Sequence, residues 1–366
     1  MPRNYGKIRK ILQNSDKYFA KEERTYLMKL TKNQLVKISH GAVRVTEENR
    51  KVSFFRFTKE QQELYKNTRR ESFYLKTFTT AGIRFEFQTD SSSLFVKVNV
   101  PFVTSRSYFA VDVCVNGETI GSINNFDGVD MTGDYTKKNY PLGSFSKNFE
   151  LGCGEKTVTI YLPWSVPVEI EEVSVDDGAF VNPVAKNKKI LVLGDSITQG
   201  YDTLHPSKHH IAVLSDILEA EVYNKAIGGE RFIPSLVKTD EDYIPDYIIA
   251  AYGSNDWANS DRSRFESDCK EFYISLSHKY PSAKIFAITP IWRKDCNEQN
   301  ICGSFSSVAD YIKEVTKELD NVYCLNSIDL VLHREELYGD LSLHPNDEGF
   351  AYYADSVCSW IKNIID

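Results

Sequence analysis

The hydrophobic period of this 366-residue chain changes once, near residue 180. That change constrains the architecture most, because a period of two and a period of 3.6 build different layers. Before it, Ser72–Phe78, Gly82–Phe87, Ser93–Val98, Tyr108–Val115, Lys156–Leu162 and Val168–Val173 alternate apolar and polar positions, which predicts half-buried strands. Asn116-Gly117, closing one of these runs, is a hairpin-type turn. Short strands with regular turn signals predict an all-β sandwich of jelly-roll type over residues 1–182. Residues 1 to about 45 are mixed and charged, and predict an extension holding some helix and one strand.

Asn182-Pro183-Val184-Ala185-Lys186-Asn187 predicts a short linker. Beyond it, apolar runs at Ile190–Leu193, Glu221–Asn224, Tyr247–Tyr252, Ile285–Ile288 and Val322–Leu325 alternate with helical patterns at about 208–219, 262–279, 306–319 and 347–364. This alternation predicts a parallel sheet covered by helices on both faces, an α/β domain over 187–366. Two domains, each with its own core, suit the length.

Composition narrows the partners. A net charge of −7 leaves no basic excess to neutralise phosphates, which argues against nucleic acid or an anionic membrane surface. No apolar run is long enough to span a bilayer. Met1-Pro2-Arg3-Asn4-Tyr5-Gly6-Lys7 has basic residues but no apolar region behind it, so it does not read as a secretory signal. The seven cysteines are odd in number and scattered, as buried free thiols are, so the expected compartment is a reducing cytoplasm. Cys296 and Cys302 lack zinc-like spacing and a second pair. The 21 Tyr and 21 Phe suit strand packing first and sugar stacking second.

The chemistry lies in the second half. Gly194-Asp195-Ser196-Ile197-Thr198 directly follows the first apolar run, so Ser196 stands where open α/β sheets hold reactive groups. A serine there is usually a helix cap. As a nucleophile it needs a base and donors aimed at a developing oxyanion. Three later segments carry those residue types: Asn224-Lys225-Ala226-Ile227-Gly228-Gly229, Gly253-Ser254-Asn255-Asp256 and His344-Pro345-Asn346.

In these four ordered blocks residues 187–366 resemble the SGNH/GDSL hydrolase family. The resemblance implies a three-layer, flavodoxin-like domain and a serine esterase without metal or cofactor. It makes Ser196 the nucleophile and His344 the general base. The backbone N–H groups of Ser196 and Gly229 and the Asn255 amide become oxyanion donors, with Gly228 the less expected neighbour. The chain departs from the family in the acid. The family's Asp stands three residues before the His, where this chain has Leu341, and the nearest acid, Asp340, stands four before. Asp340 is the expected acid if a one-residue bulge brings it to the imidazole. Otherwise a backbone carbonyl orients His344 in a Ser–His dyad.

Asp195 and Asp256 are expected to brace the site loops. His205 and His209 stand four apart, but Pro206 interrupts a helix between them, so they read as surface or rim histidines. Trp257, just after Asn255, and Trp292, after the strand ending at Pro290, are expected at the pocket as substrate-binding rings, with core packing the alternative for Trp257.

The two-domain order also resembles carbohydrate esterase family 2, which implies removal of O-acetyl groups from sugars through an acetyl-Ser196 intermediate. Short oligosaccharides are the expected substrates. A lipid, thioester or aryl ester, acyl transfer to a sugar, or a catalytically impaired glycan-binding protein are the competing readings.

Overall fold

The computed structural model describes residues 27–366; the expectation for the residues before 27 lies outside them. Two six-stranded antiparallel sheets form the first half. One runs in the order Arg44–Glu48, Lys51–Phe55, Glu169–Asp176, Ser93–Val100, Gly143–Glu150, with Leu27–Lys29 also paired to Glu169–Asp176. The other runs Asn182–Pro183, Arg84–Thr89, Lys156–Tyr161, Ala110–Val115, Glu118–Asn124, with Ser39–His40 added to Arg84–Thr89. Period two decides what lies between them. Leu94, Val96, Val98 and Val100 point inward from one strand and meet Phe85, Phe87, Val111, Val113, Val158 and Ile160 from the facing sheet.

Two expectations need correction. Ser72–Phe78 is not a strand: Glu71–Lys76 is a helix, and Tyr74 packs edge-on against Phe78 four residues on, at 5.1 Å. Helix Lys59–Thr68 is a further departure from the strand pattern, whereas helix Lys32–Ile38 falls where some helix was expected. Thr31 with Gln34, and Thr58 with Gln61, form capping boxes that start those two helices. The expected linker is partly strand, since Asn182 and Pro183 pair with Gln88 and Phe87 at the sandwich edge, a position that tolerates proline.

The second half holds a five-stranded parallel sheet in the order Ala220–Asn224, Lys188–Gly194, Tyr247–Ala251, Lys284–Ile288, Val322–Leu325. In chain order this is 2-1-3-4-5, with a switch point between its first and third strands. Ile190, Val192 and Ile249 face helices His210–Ile217 and Asp347–Ile365, whereas Leu191, Leu193 and Ile248 face Arg262–Lys279 and Phe305–Thr316. The result is a three-layer α/β fold behind a β-sandwich. Among the described residues no helix is long and apolar enough to cross a membrane.

Candidate active site

Ser196 begins a one-turn helix, Ser196–Gln199, immediately beyond the strand Lys188–Gly194. Asp195 caps it, its Oδ1 accepting the Ile197 N–H at 3.0 Å, so the serine hydroxyl is free for other work. The Ser196 N–H belongs to the first turn, whose amides have no partner within the helix. Across the switch point, Asn255 follows the neighbouring strand, and its Nδ2 donates to Asp195 Oδ2 at 3.3 Å. Burial pushes the Asp195 carboxyl up to about 6 and that of Asp256 up to about 7. Asp256 accepts the Phe232 N–H, so both acids tie loops together.

His344 closes on Ser196 from the C-terminal segment, with Nε2 2.8 Å from Oγ. Its Nδ1 lies 2.7 Å from Asp340 Oδ2. The four-residue spacing works because Leu341 adopts a left-handed φ of 57°. The chain then folds back so that Asp340 Oδ1 accepts the N–H groups of Ser342, Leu343 and His344. This is the bulge that the departure from the family spacing required.

A second carboxylate stands at the same nitrogen. Asp202 Oδ2 lies 3.2 Å from His344 Nδ1, and the Asp202 side chain is fully buried. Burial alone would lower the His344 pKa; the charges and hydrogen bonds of Asp202 and then Asp340 overcome it and push it up to about 9. Both carboxyls are held below the usual range despite their own burial, chiefly by His344. Folding raises the imidazole pKa, so the histidine's contribution is fully present below pH 6.5 and is lost as pH climbs through about 9, while that of the two lowered carboxyls is lost as pH falls below the ordinary carboxylate range. Melting temperatures of wild type and His344→Asn should therefore converge above that pH.

The loop after Ala220–Asn224 holds Gly228 and Gly229, of which Gly229 is the expected oxyanion donor. Gly228 gives its N–H to Gln199 Oε1 at 2.7 Å, while the Gly229 N–H has no acceptor among the described residues. Gly229 has a φ of 86°, and a side chain on Gly228 would collide with the Tyr201 ring. The sandwich side pins this loop. Arg56, fully buried, donates to the carbonyls of Asn224 and Ala226 at 2.9 and 2.7 Å, and to those of Thr79 and Lys76. Lys76 donates to the Gly228 carbonyl at 2.6 Å, and burial lowers its pKa to about 8.

Other expected residues lie elsewhere. Trp257 is not at the cleft: it is fully buried, donates its indole N–H to the Gly303 carbonyl at 3.0 Å and packs on Phe305. Trp257→Ala should cost about 3–5 kcal/mol of stability, readable by urea denaturation. Trp292 is half-buried, and its ring neighbours are His333 and Tyr338. His209 is no rim histidine either; buried against Phe350, it contacts the Ile197 carbonyl and has its pKa lowered by burial to about 4. His205 is half-buried beside Asp112 of the sandwich, at 2.9 Å.

Sequence reasoning missed Asp202, Arg106, Tyr108 and Arg56. Arg106 reaches Asp202 with Nε at 3.0 Å and Nη2 at 3.3 Å, and the Tyr108 hydroxyl donates to Asp202 at 2.5 Å. Both come from the sandwich side. The one available signal was an acid six residues after Ser196 in Gly200-Tyr201-Asp202.

A strand-end serine against a histidine that is itself held by carboxylate is the constellation of serine hydrolases. Residues 192–352 match the model of the GDSL-like lipase/acylhydrolase family. The reaction class is thereby ester hydrolysis. No curated protein sequence matches the chain. Among solved structures, a salicylyl-acyltransferase from a tetracycline biosynthetic pathway aligns at TM-score 0.71 and 18% identity, covering 89% of this chain and 94% of its own. A putative GDSL-like lipase from Bacteroides ovatus aligns at 0.71 and 19%, covering 93% and 98%. A family two carbohydrate esterase from Cellvibrio japonicus aligns at 0.59 and 18%, also covering 93% and 98%. These likenesses span both halves of the fold.

Proposed function

We propose that the protein is a serine esterase that removes O-acetyl groups from carbohydrates, with oligosaccharides as substrates. The observation that carries this reading is the run of contacts from Ser196 Oγ through His344 to Asp340 at the switch point of the sheet. The shared fold of family two carbohydrate esterases supports the sugar ester. His344 Nε2 takes the Oγ proton as Ser196 attacks the acetyl carbon. The N–H groups of Ser196 and Gly229 and the Asn255 amide receive the oxyanion, for which Asn255 must turn from Asp195. Collapse breaks the bond to the sugar oxygen, which leaves with the proton from His344. Water, deprotonated by the same imidazole, then releases acetate and restores Ser196.

The substrate test is an acyl-length series on p-nitrophenyl esters, followed by acetate release from acetylated oligosaccharides. A sharp optimum at acetyl supports the proposal, and turnover that climbs with chain length refutes it. The likeness to an acyltransferase favours a second reading, in which a hydroxyl other than water accepts the acyl group. Transfer product exceeding free acetate when sugar acceptor is added would select it.

The pH dependence has a definite sign. The base must be neutral, and the His344 pKa is pushed up to about 9, so kcat/KM should rise from pH 7 through that value and level off only above it. A plateau already reached at pH 7 contradicts the assignment.

A further inference from the structure

We infer that Asp202 is a second acid for His344, a positioning residue that shares the imidazole with Asp340 and is itself held in place by the sandwich residues Arg106 and Tyr108. The inference rests on the esterase reading of Ser196 and His344.

The geometry separates the tasks of the two carboxylates. Asp340 lies at hydrogen-bond distance from Nδ1, 2.7 Å, and its other oxygen is saturated by three backbone N–H groups. Asp202 stands beside the same nitrogen at 3.2 Å, and its partners come from the other half of the fold. Its backbone is pinned too: φ is 69°, and its carbonyl accepts the Tyr135 hydroxyl at 2.5 Å. Arg106 balances the charge of Asp202, leaving Asp340 to balance an imidazolium. The cluster of His344, Arg106, Asp202 and Asp340 is thus neutral when His344 carries its proton. That favours the imidazolium which forms in the transition state.

Several charged or titratable groups of the described residues surround this imidazole. Asp195 lies beside Ser196, and the Tyr201 ring packs on His344 at 5.3 Å, with the Arg106 guanidinium 5.6 Å from the same ring. Tyr108 and Tyr135 touch Asp202, while Lys137 and Asp347 act from further out. The side-chain oxygens of Asp202 and Asp340 and a His344 nitrogen lie within 4.8 Å of one another, a spacing a cation could use. Each ligand atom already has a protein partner, so no metal is assigned.

Two acids at one nitrogen make a particular pattern of losses. With Asp340→Asn, Asp202 still fixes the tautomer, and kcat should fall by only about 10–100-fold; Asp202→Asn should do about the same. The double variant should fall by about 10⁴-fold, the loss typical when a triad acid is neutralised. Each single variant should also move the acid limb of kcat/KM to lower pH, a change that a merely structural role for Asp202 would not produce. A double variant no slower than Asp340→Asn, with the limb of Asp202→Asn unmoved, overturns the inference.

Asp202→Asn leaves Arg106 without its partner and could fail to fold. In that case the His344 imidazole is titrated by NMR in wild type and in Tyr108→Phe. Stripping one donor from Asp202 makes that carboxylate more basic, so the His344 pKa should rise; an unchanged pKa overturns the inference. Ser196→Ala keeps the two failures apart. If it still turns over ester, the esterase reading falls, while the histidine titration continues to decide the role of Asp202.

Discussion

Ser196→Ala is expected to lower kcat for acetyl-ester hydrolysis by on the order of 10⁶-fold, with KM changing little. The substitution removes the atom placed to attack, since Oγ is what His344 Nε2 contacts at 2.8 Å. It should leave the fold intact, because the helix cap is Asp195 and the backbone N–H at position 196 remains. A residual rate of about 10³–10⁴ over water should survive, supplied by the oxyanion donors and binding alone. Steady-state kinetics with a melting curve on the same sample separates this from unfolding. A folded variant keeping more than about 1% of wild-type kcat would show that another group attacks.

The second large effect is structural. Arg56→Met should destabilise the protein by about 3–5 kcal/mol, because several buried acceptors lose their donor at about 1–3 kcal/mol each, offset in part by relief from burying the charge. The guanidinium has no carboxylate partner among the described residues; it is satisfied by the carbonyls of Lys76, Thr79, Asn224 and Ala226 and by the Thr79 hydroxyl. Methionine fills much of the space and satisfies none of them, and each buried acceptor left bare costs about 1–3 kcal/mol. Two of the four carbonyls lie just before Gly228-Gly229, so kcat should fall as well. Arg56→Lys should recover only part of both, since an ammonium lacks the planar fork that reaches both halves of the fold at once. Urea denaturation at fixed pH, with kcat measured below the transition, reads both effects. A loss below about 1 kcal/mol would mean that water replaces the guanidinium without strain.

Much of the α/β half was legible because its buried strands are continuous apolar runs, a signal that survives without tertiary context. Ser196 and His344 could be named for the same reason: each sits at a fixed offset from such an element. Trp257 shows the limit of that logic. It stands two residues after Asn255, but on a helix two residues is about 200° of rotation, so sequence neighbours face opposite ways. Glu71–Lys76 was misread because Phe, Tyr and Leu satisfy a strand pattern and a helix pattern alike. The Thr-x-x-Gln boxes at 31–34 and 58–61 did mark helices, the first in a stretch expected to hold some helix and the second in a stretch given no element. Asp340 was reachable only by supposing a bulge, since nothing in the residue type Leu announces a φ of 57° at position 341. Arg56 and Arg106 left no local trace, and Asp202 only its offset from Ser196, because their partners are backbone carbonyls and side chains far away in the chain.

The arginine and lysine fingers crossing from the sandwich also bear on how such a protein can change over generations. Residues 187–366 contain Ser196, His344, Asp202 and Asp340, yet Asp202 leans on Arg106 and the Gly228-Gly229 loop leans on Arg56 and Lys76. A front half exchanged for another β-domain would leave Asp202 with no counter-charge and the loop without its anchor. The two halves must therefore be inherited and recombined together, and a new specificity is more accessible through single substitutions at their seam than through shuffling of whole modules.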